Sequence, residues 1–492
     1  MKDHDQSTEC ACACCVLLLP ASQELSSSGW RRLALEAWLT WQRERHVDAE
    51  MVLKRVLRRA RLDNNAMRKH IAFAFFQYVV FDWQLQYLCE QVVGSSVYFW
   101  CTRTTAALIE ALTSRPDALH AQCRTMQQVG ELDLVLRSVL AISLYDFVHT
   151  LERNESYDDD SESSEFSAWA QVKKQFKVRL PSVQSERIAI VYSLPDWLVA
   201  QWIKQYGVET TRQLGKCCNE AGPFVLRVNS LVAATREEMQ SRFASAGYTS
   251  VACALSRWAL YFPEKPQTGA WGLPGWSDGA FEVQDQGSQC VADACEAQPG
   301  HHVLDICCGT GGKALALAAA VGKYGKVSCW DIDQRKLPHL VSNARRARAI
   351  DIVQVLSESE LDRLEAVDCV LVDAPCSASG TLRRHPSHRW NRLLEHDARE
   401  RLPEIQRSIV LRAAPYVKRG GRLVYATCSL LAWENEDVAD SLDESLGALG
   451  FSRAPVCSRK QDRNSYQKSW TLLPSEHDAA VDGFFIAAWS RS

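Results

Sequence analysis

From about residue 300 onward the sequence repeats one pattern. Short apolar runs, "VLDIC", "KVSCWD", "IVQVL", "DCVLVD" and "RLVYATC", alternate with stretches of helical character, and "FFIAAW" follows at the end. Repetition of a strand–helix–strand unit builds a mostly parallel, doubly wound sheet with helices on both faces, so the expected fold class is α/β, Rossmann-like. Such sheets bind ligands beyond the carboxyl ends of their strands. The residues that follow each apolar run are therefore where chemistry is to be sought.

The remainder of the 492 residues does not share this pattern, and a chain of this length exceeds what one core usually supports. Residues 1–29 read as a disordered tail. Cys10, Cys12, Cys14 and Cys15 lie in it without a second ligand pair at zinc spacing, so no metal is expected. Residues 30–150 carry apolar residues at helical spacing and read as an all-helical domain. The acidic, Ser-rich "ERNESYDDDSESSE" opens a linker over 151–181. Over 182–280, "YSLPDWLVAQWIKQYG" reads as a helix capped by Ser193, and "FVLRVNS" with "TREEMQSRFASAGY" as a strand, a cap and a helix. This is a small α+β segment, leaving 281–492 for the doubly wound domain. No apolar run approaches the ~18 residues that span a bilayer, and no basic leader precedes the apolar Val16–Leu19. Nineteen cysteines without a disulfide framework fit a reducing compartment, so a cytoplasmic monomer is expected.

A net charge of -3 excludes a globally basic nucleic-acid binder and leaves local patches. Between Glu50 and Leu62 a helical pattern gathers Lys54, Arg55, Arg58, Arg59 and Arg61 opposite an apolar face. "LRRHPSHRW" places Arg383, Arg384, His385, Arg389 and Trp390 on an expected loop, where guanidinium groups would meet phosphates and the indole would stack on an unpaired base.

"VLDICCGTGGKALAL" is a strand, a glycine turn and the start of a helix. Glycines let backbone N–H groups approach a ligand at the helix N-terminus. A Walker loop fails, because Cys307 stands at its first glycine and Ala314 follows the lysine; Gly309-x-Gly311-x-x-Ala314 fits a dinucleotide fingerprint. Asp331, at the end of the next strand, is placed to accept hydrogen bonds from a ribose. NAD and S-adenosylmethionine both carry one, and the turn alone does not choose between them.

The next strand ends do. Asp373 and Cys376 follow one core run, Cys428 follows another, and both cysteines precede a serine. Methylation of cytosine at C5 uses this set: a thiolate adds to C6, a carboxyl group at N3 stabilises the enamine, and loss of the C5 proton permits elimination of the thiol. Hydride transfer uses none of these groups, which leaves an NAD oxidoreductase resting on the fingerprint alone.

From about Leu194 onward the motifs "SLPDWLVAQWIKQYG", "LRVNS", "FEVQDQGSQCVADAC", "LDICCGTGGK", "DAPCSASGTLRRHP", "YATCS" and "DGFFIA" appear in one order. In this the chain resembles the RsmB/NSUN (Nol1/Nop/Sun) RNA cytosine-C5 methyltransferases, and in particular their RsmB-like rRNA branch. The resemblance implies an S-adenosylmethionine-dependent enzyme acting on ribosomal RNA. It assigns Cys428 of the T-C-S motif as nucleophile, Cys376 of D-A-P-C to product release, and Asp373 to the cytosine edge, with Lys313 beside them. It assigns Cys307, Cys308, Gly309, Thr310, Gly311, Gly312, Lys313, Asp331, Lys336 and Asp373 to the cofactor. DNA C5-methyltransferases instead attack with the Pro-Cys cysteine, the alternative answer for Cys376. The helical region is similar to a NusB-like RNA-binding domain in length and position. The chain departs from the family at two places: Cys308-Gly309-Thr310 stands where the turn usually carries a proline, and Ser357, beside Glu358, replaces an acidic residue expected at the adenine. These departures motivate a second reading, an RNA-binding ribosome-assembly factor impaired in turnover.

Overall fold

The structure is a computed structural model that describes 33–34, 37–38, 40–41, 49–60, six positions between 68 and 79, and, from 181 onward, all residues but 234, 392–393, 457–467 and 477–479. The N-terminal cysteines, Arg61 and the linker lie outside the described residues. The chain divides into two compact units, 1–200 and 201–492.

In the first unit, helix α1 (Ala49–Arg59) buries Ala49, Val52, Leu53 and Val56 and exposes Lys54, Arg55, Arg58 and Arg59. The expected division between an apolar and a basic face is present, and Lys54 pairs with Glu50 one turn earlier at 2.7 Å. Helix α2 spans Gln184–Tyr192. Ser193, expected as an N-cap, instead ends α2 in the left-handed region (φ 52°), its N–H donating back to Ala189 and Ile190. Pro195 follows, and its carbonyl accepts from Leu198 and Val199 as helix α3 (Asp196–Asn219) begins, a helix kinked at Gly207. Ser193 thus closes one helix through its left-handed backbone, and the next begins only after Leu194, whose place before Pro195 disfavours helical geometry.

The second unit opens with a four-stranded antiparallel sheet of order β2-β3-β1-β4: β1 (Phe224–Val228), β2 (Val251–Ala252), β3 (Ala259–Phe262) and β4 (Phe281–Val283). Helix α4 (Arg236–Ser245) lies between β1 and β2, capped by Thr235, whose Oγ1 accepts from the Glu238 N–H at 3.0 Å. Helix α5 (Gln286–Asp293) then leads into the large sheet.

That sheet has eight strands: β5 (His302–Asp305), β6 (Lys326–Cys329), β7 (Val353–Val355), β8 (Val367–Asp373), β9 (Val417–Thr427), β10 (Phe451–Ala454), β11 (Ser469–Leu472) and β12 (Phe484–Arg491). Their order is β10-β12-β9-β8-β5-β6-β7, with β11 on β12. Strands β5 to β9 pair in parallel; β12 runs antiparallel to β9, β10 and β11. Successive side chains alternate between two apolar cores. Leu371, Val424, Ala426 and Ile486 face one, and Val370, Val372, Leu423, Tyr425 and Phe485 the other. Burial on both faces is why these strands read as unbroken apolar runs. The chain winds outward through β5, β6 and β7, then returns to the other side of β5 as β8. The switch point, where a ligand crevice opens, is between β5 and β8.

Candidate active site

At the end of β5 the chain turns into helix α6 (Gly312–Val321) through Gly309 (φ 54°) and Gly311 (φ 96°). The turn is pinned from the next strand: Asp331, beyond β6, accepts the Gly309 N–H on Oδ2 at 2.8 Å and the Asp333 N–H on Oδ1 at 2.8 Å. Lys336 lies 3.8 Å from Asp331 Oδ1. Thr310 is exposed and its carbonyl accepts from Asn343 at 3.2 Å. Cys308 is buried in the core beside Cys329, and its thiol also reaches the Gly309 carbonyl at 3.9 Å. Gln284, from the "FEVQDQ" segment, holds the first turn of α6 by donating to the Gly312 carbonyl at 3.1 Å.

Ser357, after β7, caps the short helix α8 (Glu358–Leu361; α7 is Leu337–Arg346). Its Oγ accepts the Glu360 N–H at 3.4 Å and its own N–H donates to Glu360 Oε2 at 2.8 Å, a complete capping box. Glu358 pairs with Arg412 at 2.5 Å. Both groups expected to meet an adenine thus have local partners.

Across the switch point Lys313 donates to Asp373 Oδ2 at 2.6 Å, which joins the start of α6 to the end of β8. Burial opposes the Lys313 charge, but Asp373, with Cys428 and Asp305, outweighs it and raises the Lys313 pKa. Three residues beyond Asp373, Cys376 Sγ lies 3.3 Å from Cys428 Sγ at the end of β9, and both are free thiols, half-buried. The hydrogen bond with Cys428 and burial push the Cys376 thiol well above its ordinary range. The four residues Lys313, Asp373, Cys376 and Cys428, distant in sequence, converge at adjacent strand ends.

Three further residues of this region were not singled out by the sequence. Asp305, at the end of β5, is buried and neither carboxylate oxygen makes a well-formed hydrogen bond, although the Cys307 N–H lies near enough to lower its pKa. Burial and the Asp373 charge nevertheless push it up to about 7. Glu434 and Gln406, buried behind the thiols, bond to the loops that carry them. Proximity to a motif was the only signal for Asp305 and Glu434, and Gln406 gave none.

The basic loop is not the open surface the sequence suggested. Arg383 is 3% exposed and donates to Asp482 Oδ1 at 2.6 Å and to the Val481 carbonyl at 2.6 Å. Arg384 bonds to Asp482 and, at 3.0 Å, to Asp285. Arg389 is buried, donating to Asn219 at 2.9 Å and to the Cys218 carbonyl at 2.8 Å, and Trp390 is buried as well. Aspartates inside the fold take up the Arg383 and Arg384 guanidinium groups, and an asparagine and a backbone carbonyl take up that of Arg389, partners the local pattern does not reveal. Among the described residues no helix is long and apolar enough to cross a membrane.

Two family descriptions match the chain: "16S rRNA methyltransferase RsmB/F" over 292–490 and the RsmF/B-like ferredoxin-like domain over 194–267. The probable ribosomal RNA small subunit methyltransferase B of Bacillus subtilis is 32% identical over 310 residues, 62% of this chain and 68% of that protein. Its counterpart in Synechocystis is 32% identical over 304 residues, 60% of this chain and 66% of that protein. The chain thus spans about two thirds of the length of these relatives. Among solved structures, a methyltransferase homolog protein from Pyrococcus horikoshii shares the fold with a TM-score of 0.52 at 21% identity, covering 63% of this chain and all of that one. A relative 32% identical of which the chain covers 68%, together with family matches that take in β1 to β3, the glycine turn and both cysteine strands, reflects common descent, and the chain belongs to the RsmB/F family of ribosomal RNA methyltransferases.

Proposed function

We propose that the protein is an S-adenosylmethionine-dependent RNA cytosine-C5 methyltransferase acting on ribosomal RNA, with Cys428 as nucleophile. The observation that carries this reading is the 3.3 Å approach of two free thiols beside a Lys–Asp pair at the switch point of the sheet. One thiol suffices for attack; a second in contact with it fits a reaction that must also release what the first has bound.

The turn fits the cofactor. A buried carboxyl at Asp305 without a well-formed partner suits a ligand that carries positive charge, and Asp331 has lone pairs beyond the two amides it accepts. Backbone from Cys307 to Gly312, with Asp331 and Lys336, would hold it, and when bound it supplies the methyl group that C5 receives. The chain's own residues do the rest. Cys428 forms a bond to C6 of the base, and the ring electrons move toward C5 and N3. As that negative charge develops, N3 takes up a proton relayed from Lys313 through Asp373, which holds the N3 edge. After C5 has been methylated, Cys376, by then ionised through loss of its own proton to solvent, takes the C5 proton; the electrons of that C–H bond re-form the C5–C6 double bond and Cys428 leaves as the thiolate. The exposed arginines of α1, Arg58 and Arg59, are proposed to meet RNA phosphates.

Labelled RNA and S-adenosylmethionine, incubated with Cys376→Ala and with Cys428→Ala and run on one denaturing gel, test the roles. Cys376→Ala should methylate and then stall as a covalent protein–RNA band, whereas Cys428→Ala should give neither band nor product. A band in Cys428→Ala alone would reverse the assignment. No band in either, with no methylated RNA from the wild type, would favour an assembly factor.

A further inference from the structure

Glu434 has no access to solvent, and four donors converge on its carboxylate. Oε1 accepts from the Ser377 N–H at 2.8 Å and from Gln406 Nε2 at 3.2 Å; Oε2 accepts from Ser377 Oγ at 2.5 Å and Ser429 Oγ at 2.6 Å. Ser377 follows Cys376, and Ser429 follows Cys428. One carboxylate is therefore shared by the two loops that carry the thiols. Neighbouring contacts close the same cage: Gln406 also donates to the Pro375 carbonyl at 2.9 Å, and Asn435 to the Ser429 carbonyl at 2.9 Å. The Gly380 N–H donates to the Cys428 carbonyl, also at 2.9 Å.

We infer that Glu434 is a positioning residue for the reaction proposed above: its carboxylate fixes the spacing of Cys376 and Cys428 and, by its charge, keeps the proton on Cys376. The inference rests on that reading for its purpose, though not for its test. The mechanism needs one thiol ionised to attack and its neighbour protonated until the adduct has formed. Burial pushes the Glu434 carboxyl itself up, while the hydrogen bonds from Ser377, Ser429 and Gln406 favour its ionised form; as a carboxylate in a low-dielectric interior it acts over several ångströms and contributes to raising the Cys376 thiol, after the Cys428 bond and burial. The other titratable or charged groups around the pair are Lys313 and Asp373 on the cofactor side, with Asp305 acting on Lys313, and Tyr425, itself influenced by Arg407 and Glu436.

Glu434→Gln separates charge from geometry. The amide keeps an oxygen for Ser377 N–H and Gln406, and its NH2 can donate to the two serine hydroxyls, which accept as readily as they donate. The pH profile of Cys376 alkylation by iodoacetamide, read by peptide mass spectrometry on the full chain, should shift down by about one unit in this variant, or about tenfold in rate at a fixed pH below the midpoint. Ser429→Ala instead cuts one arm and keeps the charge. It should weaken capture of phenylarsine oxide, which condenses with two adjacent thiols and releases water, by about tenfold. An unmoved Cys376 midpoint in Glu434→Gln, or undiminished arsenical capture in Ser429→Ala, overturns the inference. Neither readout needs RNA, so a wild type that failed to methylate would sink the proposed function and leave this test standing.

Discussion

Asp305, buried at the end of β5, has a carboxyl group that burial and the charge on Asp373 push up to about 7. In the unfolded chain its pKa is near 4, so between those values the folded state holds a proton that the unfolded state has lost. Its contribution to stability is complete below about pH 4 and is lost as pH rises through 7. Asp305→Asn should therefore flatten the decline of the unfolding midpoint between pH 5.5 and 8 and leave the variant more stable at pH 8, by on the order of 1–3 kcal/mol. Thermal melts of both proteins without cofactor, across that range, check this; a wild-type curve already flat there removes the argument. Asp305 also shows where reading a sequence stops. Cys376, Cys428 and Asp373 stand out because each follows an apolar run, and position alone announces them. Glu434 stands among several acids in "WENED", and nothing local says which one turns inward. That is decided by Ser377, 57 positions upstream, together with Ser429, and by Gln406 on another helix.

Elements were legible to the extent that burial on both faces wrote them as apolar runs. β5 to β9 were found as strands in this way. β10 and β11, reading FSRA and SWTL, are short and mixed, because they lie at the margin of the sheet, and they left no such trace. Nor does "FFIAAW" encode direction: an apolar run is the same parallel or antiparallel. The glycine turn was read as one device, whereas its two left-handed residues differ. A Cβ at Gly309 would meet nothing within 4 Å, but one at Gly311 would lie 2.8 Å from Leu340 Cγ of α7. Gly309→Ala should cost about 1 kcal/mol, from backbone conformation alone. Gly311→Ala adds overlap with a packed leucine and should cost about 2–4 kcal/mol. Urea unfolding of the two variants decides it, and equal losses would mean that α7 yields freely.

At the scale of the second unit, Arg383, Arg384, Asp285 and Asp482 join segments far apart in the chain. Asp482, 1% exposed, takes both guanidinium groups and donates its own N–H to Asp285, the N-cap of α5, at 3.1 Å. Arg384 also reaches the Pro223 carbonyl at the entry to the antiparallel sheet, at 3.2 Å. Arg383→Ala leaves Asp482 with Arg384 alone and removes the charge-assisted bonds to Asp482 and Val481, so it should lose about 1.5–3 kcal/mol of unfolding free energy. A variant as stable as the wild type would return Arg383 to the RNA contact that the sequence suggested. β12 begins two residues after Asp482 and lies against β9, the strand that ends at Cys428. A ribosome making this chain completes Cys428 well before it makes β12, so β9 must wait with one edge unpaired. Cys428 is thus synthesised before the strand that encloses it, and a growing chain carries this thiol beside an open, apolar strand edge until Phe484–Arg491 has emerged to cover it.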